Sequence, residues 1–129
     1  MKIENIKFKA KRLNNGEWVE GSLIRSTVGV KERAYIVDSF SSMSDYSVIG
    51  IDPSTVCQFT GLKDCEGKEI WEGDVIKDPY LGIEHTIEWN NHLCSFNALN
   101  EIGGSDKPLG ALVKSLGWYV VGNKFDKEK

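Results

Sequence analysis

The chain is poor in the residues that staple a fold or ligate metal. It has three cysteines, Cys57, Cys65 and Cys94, with no Cys-x-x-Cys pair, and only two histidines. An odd, dispersed set argues against a disulfide framework and a zinc knuckle, and suits a reducing cytoplasm. No run approaches the roughly 18 apolar residues of a membrane helix. The N-terminus, MKIENIKFKAKRL, lacks the continuous apolar core of a signal peptide. A cytoplasmic protein is expected. No internal repeat, heptad or low-complexity tract is present.

Excess charge is also missing. The net charge of −3 is too small to imply a partner, but its distribution is uneven. Residues 1–33 hold eight basic and four acidic side chains, whereas residues 34–129 hold eight basic and fifteen acidic. A basic segment on an acidic body fits an acidic partner or, more commonly, complementarity within the molecule. With 129 residues, 40% hydrophobic and 27% charged, the chain has an ordinary globular balance. A chain of that size buries roughly two-thirds of its unfolded surface.

Strand signals dominate what is there. IKFKAKRL and EWVEGSLI are alternating runs around Asn15-Gly16, the strongest short hairpin signal. A two-residue loop would set Leu13 opposite Trp18, Lys11 opposite Glu20 and Phe8 opposite Leu23. Phe8, Ala10, Val19 and Leu23 then share the buried face, and Lys7, Lys9 and Lys11 the other. AYIVD (34–38), SVIGID (47–52) and TVCQFT read as further strands, with Pro53 limiting the second. SFSSMSDYS between the first two reads as an exposed loop.

Residues 83–98, IEHTIEW-NN-HLCSFNA, predict a second hairpin. An Asn-Asn loop pairs Trp89 with His92, Ile87 with Cys94, His85 with Phe96 and Ile83 with Ala98. These eight share one face, as a half-buried antiparallel pair requires. NEIGGSDKPLG (100–110) reads as a loop, ALVKSL as a helical turn or short strand, and WYVVGN as a strand. The charged tail is expected to fray. The divisions expected are a β-hairpin region over 1–52, a barrel over 53–124 and a tail over 125–129, which can act as one compact unit.

TGLKDCEGKEIWEGDVIK (60–77) almost spells a phosphate loop. That loop needs G-x-x-x-x-G-K-[ST] between a strand and a long helix. Gly61 and Gly67 are one residue too far apart, and Glu69 stands where a magnesium-binding hydroxyl belongs. Across 61–78 six acidic side chains face three lysines, a poor cradle for phosphate. No nucleotide is expected. The same letters work as turns: Asp64 bonding its own backbone two residues on, Gly67 supplying positive φ, and Asp74 fixing a second turn before Val75. A Gly-Asp turn before a β-branched pair suits small barrels of the SH3-like kind.

VCQFTGLKDCEGKEIWEGDVIK, IEWNN, WYVVGN and KFKAKRLNNGEWVEGSLI together resemble the YopX proteins of bacterial phages and prophages. The match runs in order from about residue 6 to residue 123. It implies an SH3-like β-barrel in the C-terminal half, additional β structure before it, and a bacterial host cell. It supplies no catalytic residues. Cys65, where a polar residue is usual, and Lys124, where an apolar one is, are local departures.

The remaining polar residues lack the spacing that chemistry needs. In the expected register His85 and His92 stand roughly 13 Å apart at ~3.3 Å per residue, too far for one zinc with ligand atoms about 2.0–2.3 Å away. His92 and Cys94 share a strand face, but their Cα atoms would be roughly 6.6 Å apart with parallel side chains. No third group orients a Cys–His pair. Cys94 reads instead as a small core hydrophobe. Glu66, Glu69, Glu72, Asp74 and Asp78 read as a solvated turn surface. No metal, cofactor or catalytic residue is expected.

Interaction is therefore the expected mode. Trp71, between acidic turns, suits an exposed anchor, while Trp89 and Trp118 suit the core. Lys7, Lys9 and Lys11 beside Trp18 suit nucleic-acid binding, or alternatively a solvated edge that discourages strand pairing. The function expected is a non-enzymatic phage or prophage accessory protein working through protein contacts or self-association. Nucleic-acid binding through Lys7, Lys9 and Lys11 is the alternative.

Overall fold

The alternating runs of the sequence become short antiparallel strands. They are β1 (Phe8–Lys11), β2 (Trp18–Ser26), β3 (Arg33–Asp38), β4 (Ser47–Ile51), β5 (Cys57–Lys63), β6 (Glu69–Trp71), β7 (Asp74–Lys77), β8 (Glu84–Asn90), β9 (Ser95–Leu99), β10 (Lys107–Pro108) and β11 (Tyr119–Asn123). One helix, α1 (Leu109–Ser115), precedes β11 and resolves the ambiguity of ALVKSL. This computed structural model describes residues 2–26, 32–38, 47–99 and 107–126. The loop expected at 39–46 lies outside them, as does the end of the tail, 127–129. Of the loop expected over 100–110, residues 100–106 also lie outside, whereas Lys107–Pro108 pair as β10 and Leu109 and Gly110 begin α1.

The chain is mainly β, in two antiparallel sheets ordered β4-β3-β2-β1-β5-β6 and β10-β9-β8-β7-β11. It divides into two units, Met1–Phe59 and Thr60–Lys129. The division falls inside β5, where the sequence suggested 52/53. Residues 53–124 hold antiparallel β structure without the closure an SH3-like barrel implies, for no closed barrel forms among the described residues.

In the first unit Ala10, Val19, Ala34, Ile36 and Ile51 form the core, with Leu23, Ile49 and Val56 against it. The sheet curls far enough for its edge to meet its own beginning. Arg12 bridges Ile51, the Leu13 amide donates to the Gly50 carbonyl at 3.1 Å, and the Asp52 amide donates to the Lys11 carbonyl at 2.9 Å. Gly21 permits the curl: a Cβ there would lie 2.2 Å from the Val37 carbonyl oxygen, an impossible approach.

The first hairpin differs from expectation in register. Its pairs are Phe8–Gly21, Lys9–Glu20, Ala10–Val19 and Lys11–Trp18. The loop is longer than Asn15-Gly16, closing where the Arg12 amide donates to the Glu17 carbonyl at 2.9 Å. Asn15 Oδ1 takes the Glu17 amide, an Asx turn that a two-residue loop does not offer. The second hairpin slips likewise, pairing Ile87 with Ala98 and Trp89 with Phe96. The Leu93 amide donates to Asn90 Oδ1 at 2.8 Å, and Cys94 adopts φ 51°. Cys94 is therefore an exposed turn residue and not the core hydrophobe expected opposite Ile87.

In the second unit Ile70, Ile76, Ile87, Ala98, Leu109, Leu112, Val113, Trp118 and Val120 make the core. The turn stretch 60–77 supplies its polar frame. Asp64 is 6% exposed, and its Oδ1 accepts from the amides of Glu66 and Lys68, each at 2.9 Å. Its Oδ2 accepts from the Val120 amide of β11, also at 2.9 Å. Asp74 accepts from the Trp71 amide at 2.7 Å and from Asn123 Nδ2 at 2.9 Å. Asp78 takes the Tyr80 amide at 2.8 Å. Asp74 and Asp78 are thus buried turn acceptors and not part of a solvated surface. Gly67 takes the expected positive φ, 83°, and Gly73 in the second turn takes 86°.

The edges of the five-stranded sheet are irregular. β10 is two residues long and ends in Pro108, opposite Asn97. β11 pairs with β7 through a register shift between Val120 and Gly122. Beyond it, where fraying was expected from 125, Lys124–Asp126 forms a 3-10 turn. The Phe125 amide donates to Asn123 Oδ1 and the Lys124 amide to the Gly73 carbonyl, each at 2.9 Å.

Removing the Asp64 carboxylate would strand three amides in buried or part-buried positions. Asp64→Ala is expected to lower unfolding free energy by about 2–4 kcal/mol, measured by urea denaturation, whereas Cys65→Ser in the exposed turn should change it little. An Asp64→Ala protein as stable as the parent would refute this role.

Candidate functional site

Lys9 and Lys11 of β1, with Lys7 just before it, lie on the face opposite the core; of the three, Lys9 and Lys11 meet Trp18. Because Lys11 is directly opposite Trp18, the indole lies within reach of two ammonium groups. Lys9 Nζ stands 4.6 Å and Lys11 Nζ 5.3 Å from the Trp18 ring centroid. Lys7 Nζ is 4.8 Å from the Phe59 ring and 3.9 Å from Glu20 Oε1. All four of Lys7, Lys9, Lys11 and Trp18 are half-buried.

This arrangement changes what the face can do. A base stacks on an aromatic ring only if the ring face is available, yet two lysines already cover Trp18. Each cation–π contact is worth about 0.5–1 kcal/mol at a partly exposed site. The lysines and aromatics here stabilise one another within the unit.

The tryptophans divide differently from expectation. Trp71 is 4% exposed, which withdraws its ring from the surface where an anchor was expected. Trp118 is in the core as expected, with its ring 4.6 Å from that of His85. Trp89 reverses the expectation: it is 46% exposed. Its ring meets Phe96 edge-on, with centroids 5.1 Å apart and planes at 73°. Leu93, 58% exposed, follows in the adjoining turn. The physical reason is position along the hairpin. Ile87 and Ala98 form the outermost pair within the core, and Trp89–Phe96 is the next pair on that face. The alternation identified the face but carried no information on how far along it the core extends.

The other candidates sit apart from any common centre. His92 and Cys94 lie exposed in the turn that joins β8 and β9, and Cys94 Sγ donates to the Asn91 carbonyl at 3.6 Å. His85 lies beside Trp118. Cys57 is buried and donates to the Thr55 carbonyl at 3.3 Å. Among the described residues, no three His, Cys, Asp or Glu side chains are grouped so as to hold a metal ion. Asp64, Asp74 and Asp78 are engaged by the amides already described.

If the lysine–indole contacts act as an internal clamp, the double variant Lys9→Gln, Lys11→Gln should lose about 1 kcal/mol of stability in urea denaturation. Its Trp18→Leu counterpart should make the same two lysine substitutions nearly neutral. Additive losses would exclude the clamp.

Residues 7–128 match a family model described as YopX protein. No curated protein matches the chain. No helix among the described residues is long and apolar enough to cross a membrane.

Proposed function

The chain belongs to the YopX family, and from that premise we propose that it is a phage or prophage accessory protein acting without catalysis, through protein contacts at the β8–β9 hairpin. The observation that carries this reading is exposed Trp89, backed edge-on by half-buried Phe96, with exposed Leu93 in the adjoining turn. Tryptophan is enriched among residues that dominate binding energy, especially where it is rigidly supported by neighbours. Here Phe96 holds the indole by an edge contact worth about 0.5–1.5 kcal/mol, so little side-chain freedom remains to be lost on association.

We also read the C-terminal half as an opened barrel of SH3-like kind. Successive strands β7, β8 and β9 form a meander, and a short helix returns the chain to β11 beside β7. The host compartment is the bacterial cytoplasm. The partner is another protein or a second copy of the chain. Nucleic-acid binding through Lys7, Lys9 and Lys11 is the second reading, favoured by their shared strand face and opposed by their engagement with Trp18, Phe59 and Glu20.

A photoreactive phenylalanine analogue at exposed His92, which leaves Trp89 in place, tests the hairpin directly. Illumination in host cells should give one adduct of defined mass, a multiple of the chain's own mass if it self-associates. The same analogue at exposed Glu66 should give none. Trp89→Ser should weaken the purified association at least about tenfold by light scattering or titration. A diffuse ladder identical at both positions, or no adduct from position 92, would sink the proposal.

A further inference from the structure

The first unit contains a cavity independent of the hairpin just discussed. It has a volume of about 370 Å³ and opens where the curled sheet brings Leu13 over β3 and β4. Its base includes Ala34 and Ile51, both buried, and Leu13 and Pro53 line it further. Small-ligand sites commonly begin near 300 Å³ and favour the mouths of curved β structures. Leu13 is 70% exposed although its amide is held by Gly50, so an apolar wall is fixed in place and left in contact with solvent.

The polar groups at this cavity are asymmetric. Glu32 is paired with Arg25 at 2.6 Å, which neutralises the acidic side of the rim. Arg33 is exposed and makes no ion pair among the described residues, and the Tyr35 hydroxyl has no hydrogen bond among them. A guanidinium beside an apolar hollow selects an apolar body with an anionic group, because its planar fork can hold a carboxylate through two parallel bonds. We propose that this cavity binds an amphipathic monocarboxylate: an aromatic or branched apolar body inserted over Ile51 beside Leu13, with its carboxylate on Arg33 and the Tyr35 hydroxyl. That chemistry occurs in a free organic acid and in the C-terminal residue of a peptide.

The test follows backbone amide shifts of the full-length ¹⁵N-labelled protein. Three probes are titrated to millimolar concentration: 3-phenylpropionate, acetyl-glycyl-phenylalanine and the C-terminal amide of that dipeptide. Both acids should shift Ala34, Gly50 and Ile51 saturably, and the amide should bind about tenfold more weakly for want of the charge-assisted bonds. Arg33→Gln should bring the acidic dipeptide down to the level of its amide. Gly50→Leu should abolish binding of all three. A Cβ at Gly50 meets only Leu13 Cδ1, at an ordinary 3.6 Å, so this variant should fold while filling the space. A retained dispersed spectrum checks that it does.

Tighter binding of the free acid, or of the dipeptide, supports the site and identifies which source it takes. The proposal fails if neither acid gives saturable shifts, or if acid and amide bind alike. It also fails if inorganic phosphate reproduces the shifts, or if neither variant alters them. None of these outcomes depends on Trp89.

Discussion

The second unit depends on carboxylates placed where backbone amides have no other acceptor. Tight turns between short strands leave N–H groups pointing inward, and such a group, buried and unpaired, costs about 1–3 kcal/mol. Asp64 meets this constraint for its own turn and for the Val120 amide of β11, joining segments far apart in sequence. Asp74 does the same for Trp71 and, through Asn123, for the turn that follows β11. The acidic character that makes residues 60–77 hostile to phosphate is thus partly an internal requirement. Aspartate suits these positions because its short side chain reaches its own turn without losing much rotamer freedom.

Much of this was legible in the sequence, and the reason lies in parity. Strand faces alternate with period two, so a slip of an even number of residues leaves every side chain on its assigned face. Both hairpins slip in that way. Phe8, Ala10 and Val19 remain opposite the lysines, and Ile87 and Ala98 remain inward, although their expected cross-strand partners are wrong. The turn lengths were not legible, because Asn15 and Asn90 use their side chains as acceptors and lengthen loops that composition alone would shorten. Burial along a strand was equally hidden. Trp71 and Trp89 both stand next to acidic residues, and only the three-dimensional reach of the core decides which of them is covered.

The two units offer different surfaces. In the first, cations and aromatics are already combined, leaving a compact hollow with Arg33 at its rim. In the second, the buried aspartates are committed to the frame, and the Trp89 ring stands beyond the core on half-buried Phe96. On the two readings proposed, selection by charge would belong to one unit and selection by apolar shape to the other. The carboxylates that look most chemical in the sequence serve the frame, whereas the groups available to another molecule come from stretches that looked ordinary.

The irregular edges of the five-stranded sheet restrict how this surface can be used. β10 ends at a proline, which has no amide to offer a neighbouring strand. On the opposite side, the Val120 amide is already held by Asp64 and the shift before Gly122 breaks the repeat of β11. A sheet bounded in this way is a poor template for a strand from another chain, and so resists fibril-like stacking of copies. Contact through the proposed hairpin would run through side chains, where a single substitution can change who is recognised without unravelling the sheet beneath.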